Sequence, residues 1–183
     1  KTVVYDFRQN DIKNGGQGAP LTPIFHKVLK KKINVKNVTF INIGGIINET
    51  TILDGGHFHA SDIGPGMCFV DKWIRTNSKK KYDMNGDVAR SGKVNKKVLE
   101  QYFIPNKKSY DISDFDISFA KGLSLEDGAA TLIELTVQTL AEKLTHLMKG
   151  LTSDHRLILC GGGRKNNFLV ERMHEHIAMT QLI

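Results

Sequence analysis

Cysteine is scarce in this 183-residue chain: only Cys68 and Cys160 occur, far apart and in no C-x-x-C pair. That excludes a disulfide framework and a cysteine-held metal, and leaves both thiols to act as small buried hydrophobes. Proline is nearly absent, 4 residues against 17 glycines, so tight turns rather than an extended linker interrupt the chain. No apolar run approaches the roughly 18 residues that span a bilayer, and no charged-then-apolar leader opens the sequence. No membrane partner is expected, and the chain reads as cytoplasmic. In that setting the sequons Asn37-Val38-Thr39 and Asn48-Glu49-Thr50 carry no meaning. Also missing are the G-x-x-x-x-G-K-[ST] loop, the G-x-G-x-x-G dinucleotide fingerprint and the G-x-S-x-G nucleophile elbow.

What is present is an ordinary globular balance, 40% hydrophobic and 25% charged, enough to bury a core without a disulfide or structural metal. The net charge of +7 would suit an anionic ligand. Yet the lysines fall into short runs, Lys30-Lys31-Lys32 and Lys79-Lys80-Lys81, with no interleaved aromatics to stack bases. They read as solvated loop charge, and no specific nucleic-acid partner is expected.

Thr2-Val3-Val4-Tyr5 reads as a short strand that delivers Asp6 and Arg8 to a glycine-rich loop over Asn10–Pro20. Leu21–Lys31 has helical spacing, with Pro23 in the first turn. Val38–Ile43 and Ile46–Leu53 read as strands around Gly44-Gly45, a dipeptide able to take positive φ at both positions of a hairpin. A third strand over His57–Ser61 leads into the turn Asp62-Ile63-Gly64-Pro65-Gly66 and a helix through Trp73. Residues 77–93 read as an exposed loop, Val94–Phe103 as a short helix, and 105–124 take no clear assignment. Ala129–Met148 is the longest helical stripe, with Gly150 as its stop. Leu157–Cys160 is a continuous apolar run, hence a buried strand. It ends on Gly161-Gly162-Gly163, and a helix with Leu169, Met173 and Ile177 on one stripe follows. Hairpins mixed with helices predict an α/β fold with a mixed sheet flanked by helices.

Several of these residues could carry chemistry. Asp11, beside Gly15, Gly16 and Gly18, sits where backbone can approach a ligand and could take a proton from a hydroxyl or water. Arg8 could grip a phosphate or carboxylate with two parallel bonds. Equally, Asp6 and Asp11 would serve as turn caps paired with Arg8. Gly44-Gly45 could present N–H groups to anionic oxygens, or be an ordinary hairpin. Asp62 could bind a sugar hydroxyl or a metal-held phosphate, or cap the next helix. Strand, three glycines, then helix at Gly161–Gly163 would bring a nucleotide against backbone at a helix N-terminus. His57 and His59 beside Asp62 read as structural rather than as metal ligands.

The run Asp6-Phe7-Arg8, Asp11 and Gly15-Gly16-Gln17-Gly18-Ala19-Pro20-Leu21 resembles the signature of the anhydro-N-acetylmuramic acid kinases. So do Asn42-Ile43-Gly44-Gly45-Ile46, Asp62-Ile63-Gly64-Pro65-Gly66 with Asp71 and Trp73, and Tyr82-Asp83 with Gly86, Ala89 and Gly92-Lys93-Val94. Ala130-Thr131-Leu132, Glu134-Leu135-Thr136 and Cys160-Gly161-Gly162-Gly163 with Asn166 continue the order. The resemblance implies an actin-like ATPase (ribonuclease H-like) lobe, incomplete relative to a two-lobed family. It implies ATP and Mg²⁺ as cofactors and a peptidoglycan-derived 1,6-anhydro amino sugar, opened by water while its 6-oxygen is phosphorylated. A homodimer is compatible with it.

By their places in the motifs, Asp11 would be the catalytic base, and Gly44, Gly45, Gly161, Gly162, Gly163 and Asn166 would bind ATP. Arg8, Gln17, Asp62 and Gly64 would bind the sugar; no residue is assigned to a metal. The expectation is that residues 1–183 are a C-terminal lobe, lacking the N-terminal lobe and the end of the family's chain. Met67 stands where the family has Asn, residues 101–115 are shortened, and only Pro105, Lys108 and Ser109 survive of a Pro-Lys-Ser-Thr-Gly element. Those departures leave a second reading open, a non-catalytic remnant that binds a nucleotide or a partner.

Overall fold

Two seven-residue runs, Asn37–Ile43 and Ile46–Ile52, bury Ile41, Ile43 and Ile47 on one face and Val38, Phe40 and Ile52 on the other. Strands apolar on both faces need cover on both, and that requirement sets the architecture. The computed structural model describes residues 2–16, 18, 21–104, 107, 109–148 and 154–181. In it the two runs are β1 (Asn37–Ile43) and β2 (Ile46–Ile52), joined by β3 (Phe58–Pro65) and β4 (His155–Cys160) in a four-stranded sheet of order β3-β2-β1-β4. The β1/β2 and β2/β3 pairs are antiparallel and β4 runs parallel to β1, so the sheet is mixed.

Helices α1 (Phe7–Lys13) and α2 (Pro23–Ile33) precede the sheet. The crossover to the parallel strand contains α3 (Cys68–Asn77), α4 (Asp87–Ser91), α5 (Lys96–Gln101) and α6 (Leu125–Met148), and α7 (Asn167–Gln181) follows β4. The main core forms where Ile41, Ile43, Ile47 and Ile63 of the sheet meet Phe69 and Trp73 of α3, Leu132, Ile133 and Leu140 of α6, and Leu169 and Met173 of α7. On the opposite face Val38, Phe40 and Ile52 lie under Leu29 of α2, and His26 stacks on Phe40 with ring centroids 4.4 Å apart.

Helices α3 and α6 pack closely in the core. The Trp73 indole N–H donates to the Leu125 carbonyl at 2.9 Å, and a Cβ on Gly128 would stand 2.2 Å from the ring. Alanine is the better helix former by about 1 kcal/mol, but overpacking a filled core costs about 1–3 kcal/mol. Here the ring has nowhere to retreat, so steric cost wins. Gly128→Ala is expected to destabilise the chain by about 1–2 kcal/mol net, read as a lower urea midpoint at unchanged slope.

Several sequence expectations need correction. Residues 2–5 form no strand; their side chains stand in solvent, because no strand among the described residues pairs with them and β-branching alone cannot hold a strand. Asp11 lies on α1 rather than on a loop. β3 runs through Pro65, so Asp62, Ile63 and Gly64 are strand residues, not a turn. Residues 77–93 include α4, whose Val88 and Ala89 are buried, because the buried Asp83 carboxylate accepts both of their N–H groups at 2.9 Å. α5 is shorter than expected since Asn95 caps it, accepting from the Val98 N–H. α6 starts a turn early, where the Ser124 hydroxyl accepts the Asp127 N–H; Gly150, its expected stop, lies outside the described residues. β4 is an edge strand with Leu157 exposed, not a buried one, as nothing described lies beyond it.

Candidate functional site

The site is built at the carboxyl ends of the parallel pair β1 and β4, where open α/β sheets hold ligands. Gly44 and Gly45 close the β1/β2 hairpin. Neither takes a positive φ, contrary to the expectation for that turn. Glycine is needed there for clearance instead: a Cβ on Gly45 would lie 2.9 Å from Ile112 Cδ1, and one on Gly44 3.2 Å from the Ile46 carbonyl. The hairpin carbonyls take up the free N–H groups at the start of α3. Gly44 accepts from Met67 at 2.8 Å, and Gly45 from Gly66 at 2.8 Å and Cys68 at 3.2 Å. Asp62 therefore does not cap this helix. Gly66 must be glycine, since a Cβ would come within 2.4 Å of the Gly44 carbonyl oxygen.

The second wall is the turn after β4. Gly161 has φ +83°, and Cβ atoms on Gly161 and Gly163 would strike the end of β1 at the Ile43 carbonyl and the Ile43 side chain. Gly162 between them faces nothing within 4 Å. The turn is thus pressed against β1 by two glycines and leaves the third open. A 3₁₀ turn over Gly163–Lys165 follows before α7.

Between these turns lies a cavity of about 570 Å³, lined by Ile43, Gly44, Gly45, Met67, Asp71, Arg75, Lys81–Asn85, Gly162, Gly163, Lys165 and Asn166. Arg75 donates to the Lys81 carbonyl at 3.3 Å and ties the 81–85 wall to α3. Burial pushes the Asp71 carboxyl above its ordinary value; Arg75 opposes the rise and Asp83 adds to it. Asn166 is almost wholly buried and its Oδ1 accepts the Leu169 N–H at 2.9 Å, capping α7. That bond fixes the amide's orientation, and its Nδ2 has no partner among the described residues. Gly86, at φ +78°, lets the chain pass: a Cβ there would sit 2.3 Å from Asn166 Oδ1.

The structure thus brings five of the expected nucleotide residues, Gly44, Gly45, Gly162, Gly163 and Asn166, around one cavity, with Gly161 shaping the turn. Of the expected sugar residues, Arg8, Asp62 and Gly64 are not among its lining. Asp62 Oδ2 accepts from the Ser109 hydroxyl at 3.0 Å and the Tyr110 N–H at 2.9 Å, so it tethers that segment to β3. Gly64 makes room for α6, with Thr139 Cγ2 3.0 Å from a would-be Cβ. Gln17 lies outside the described residues, as do Pro105 and Lys108.

Asp11 and Arg8 share α1, which buries none of its residues. Asp11 Oδ2 accepts the Gly18 N–H at 2.7 Å, and the loop folds so tightly over this carboxylate that a Cβ on Gly16 would overlap it. Asp111 is held below the usual carboxylate range chiefly by the N–H and O–H of Ser113, with a smaller contribution from Arg8. Asp71, Arg75, Lys81 and Lys165 were missed as site residues. Asp71 was visible as a motif position, while Lys81 was read as loop charge, and no spacing marked Arg75 or Lys165.

The fold and the cavity at its strand ends define a mixed α/β domain, a four-stranded sheet flanked by helices. The particular family follows from sequence: the family model described as Anhydro-N-acetylmuramic acid kinase matches residues 1–183, and the chain belongs to that family. It is 41% identical to the anhydro-N-acetylmuramic acid kinase of Pelagibacter ubique (strain HTCC1062), over 97% of this chain and 50% of that one. With that of Pasteurella multocida (strain Pm70) it shares 38%, over 94% and 48%. The chain spans about half the length of the curated relatives it matches. A solved structure described as a ROK family protein from Streptococcus pneumoniae TIGR4 in complex with sucrose matches at TM-score 0.41 and 16% identity, over 86% of this chain and 52% of that one.

Proposed function

We propose that this chain is one lobe of an ATP-dependent kinase that opens 1,6-anhydro-N-acetylmuramic acid with water and phosphorylates its 6-oxygen. The remaining half of the relatives' length would supply the other lobe. The observation that carries the reading is the cavity shared by Gly44, Gly45, Gly162, Gly163 and Asn166. Its volume falls in the range of small-ligand sites. Gly162 leaves space for a flat ring or a phosphate against backbone, Asn166 Nδ2 offers a donor with no partner among the described residues, and Arg75, Lys81 and Lys165 supply positive charge. These features fit a nucleotide.

Bound Mg-ATP supplies the phosphoryl group. The chain's own work is positioning, which dominates in phosphoryl transfer, and proton removal. The Gly18 N–H orients the Asp11 carboxylate, leaving Oδ1 to take a proton from the attacking water. The water oxygen would bond to C1 of the sugar as the C1–O6 bond breaks, and O6 would bond to the γ-phosphorus as that phosphorus's bond to the bridging oxygen breaks and ADP leaves. Asp11 is outside the cavity lining, so its approach to the sugar depends on the second lobe. A non-catalytic remnant that binds nucleotide is the second reading, favoured by that separation.

Calorimetric titration with Mg-ATP tests the cavity. Saturable binding is expected. Gly162→Val should weaken it at least about tenfold, or 1.4 kcal/mol, with an unchanged urea midpoint, since the added Cβ meets nothing within 4 Å. Absence of saturable heat from the unaltered chain overturns the nucleotide reading.

A further inference from the structure

The cations around the cavity stand on two walls that the fold holds in place. One wall carries the run Lys79-Lys80-Lys81 after α3. Its backbone is anchored: the Ser78 hydroxyl accepts the Lys80 N–H at 3.1 Å and donates to the Ile74 carbonyl at 2.7 Å, while Arg75 holds the Lys81 carbonyl. The other wall is the 3₁₀ turn with Arg164 and Lys165, closed where the Gly162 carbonyl accepts the Lys165 N–H at 3.1 Å. These six side chains are exposed, and among the described residues none of them is ion-paired. Elsewhere Lys72, Arg90, Lys107 and Arg172 each have a carboxylate partner. The acids that line the cavity are less exposed than these cations. Asp83 is buried and both its oxygens accept N–H groups, and Asp71 is half-buried on α3.

We infer that these unpaired cations form an electrostatic funnel that speeds capture of the anionic nucleotide, with Lys79, Lys80 and Arg164 acting through the field at the mouth rather than by touching the ligand. The inference rests on the nucleotide reading given above. Those three residues do not line the cavity, whereas Arg75, Lys81 and Lys165 do. A cleft with low-dielectric walls concentrates the field of the charges along it and can raise association rates by about 10–10³-fold. The effect is local, because the Debye length is about 10 Å at 0.1 M salt. That locality separates a funnel from the net charge of +7. Lys31, Lys32 and Lys36 are also exposed, and none is ion-paired among the described residues. They lie before the start of β1 at Asn37, however, and the cavity lies at its far end beside Ile43. The strand between spans about 20 Å, about two Debye lengths. These lysines therefore add charge to the molecule but little field at the mouth.

Stopped-flow mixing of the chain with a fluorescent Mg-ATP derivative, and with the matching adenosine derivative, tests this between about 20 and about 300 mM KCl. The Mg-ATP association rate is expected to fall at least about fivefold over that range while the adenosine rate stays flat. Lys79→Gln, Lys80→Gln and Arg164→Gln together should lower the Mg-ATP association rate at low salt by at least about fivefold. The dissociation rate and the urea midpoint should not change. Lys31→Gln, Lys32→Gln and Lys36→Gln together remove the same charge and should leave both rates alone. Equal slowing by the two triple variants overturns the funnel in favour of net charge. A loss that falls on dissociation overturns it too, because Lys79, Lys80 and Arg164 would then be contacts. Saturable Mg-ATP binding at a salt-independent rate defeats the funnel and leaves the nucleotide reading standing. Absence of Mg-ATP binding by the unaltered chain defeats both.

Discussion

In a protein that joins this chain to the half of the Pelagibacter ubique kinase that it does not cover, Asp11→Asn is expected to lower sugar phosphorylation by about 10²–10⁴-fold, the usual worth of a general base, while Mg-ATP affinity and the unfolding midpoint stay unchanged. Asparagine keeps the shape and can still accept the Gly18 N–H through its amide oxygen, so the loop over residues 14–16 should hold. What it loses is the carboxylate that would take the water's proton. The loss should fall on kcat rather than on KM, because the group acts on a proton in flight and not on bound sugar. Rates within about threefold of the parent would place the base elsewhere and return Asp11 to the cap-like role that its sequence context also allowed. Measuring phosphosugar by mass, with ATP saturating, separates these outcomes.

Arg172→Met should cost about 3 kcal/mol of stability at neutral pH, the range for breaking a buried ion pair from one side. Glu134 is buried on α6, and Arg172 of α7 donates to its Oε2 from Nη2 at 2.8 Å and from Nε at 3.1 Å. His176 Nε2 lies 2.7 Å from Oε1, and Gln138 donates to it at 3.1 Å. Burial alone would raise this carboxyl, but the bonds and charges of Arg172 and His176 outweigh burial and hold it below its ordinary value of 4.5. The sign follows: the stabilisation is complete above the unfolded value and is lost as pH falls through the lowered folded one. In the Met variant the carboxylate keeps its burial and loses its strongest partner, so acid destabilisation should begin at higher pH. Glu134→Met combined with Arg172→Met should recover most of the loss, because the charge left buried is then gone. Urea midpoints at pH 7 and across the acid limb check both statements.

How much of this was legible beforehand depends on whether the cause was local. The hairpin, the stop of β4 on three glycines and the stripe of α6 follow from alternation, 3.6-residue periodicity and turn chemistry, all read within a dozen residues. Gly44, Gly45, Gly162 and Gly163 could be singled out for the same reason. Glu134 could not: on the α6 wheel it reads as a solvent-side residue, and only α7, 38 positions later, makes it a buried acid. The partners of Asp62 were hidden for a similar cause, since the Ser109 and Tyr110 groups that donate to its Oδ2 lie 47 and 48 residues away. Lys81 looked like one of a solvated run until Arg75 tied its carbonyl into the cavity wall.

By itself the sequence determined the family, the mixed α/β class and the glycine turns that wall the cavity, because pattern and backbone chemistry are local and need no partner to be read. Only the tertiary structure decided which polar residues share the cavity, which acids are buried, and that residues 2–5 and the outer face of α2 stand exposed among the described residues. Those depend on which distant segments the sheet order β3-β2-β1-β4 brings together. A strand-like run becomes a strand only when another backbone lies beside it.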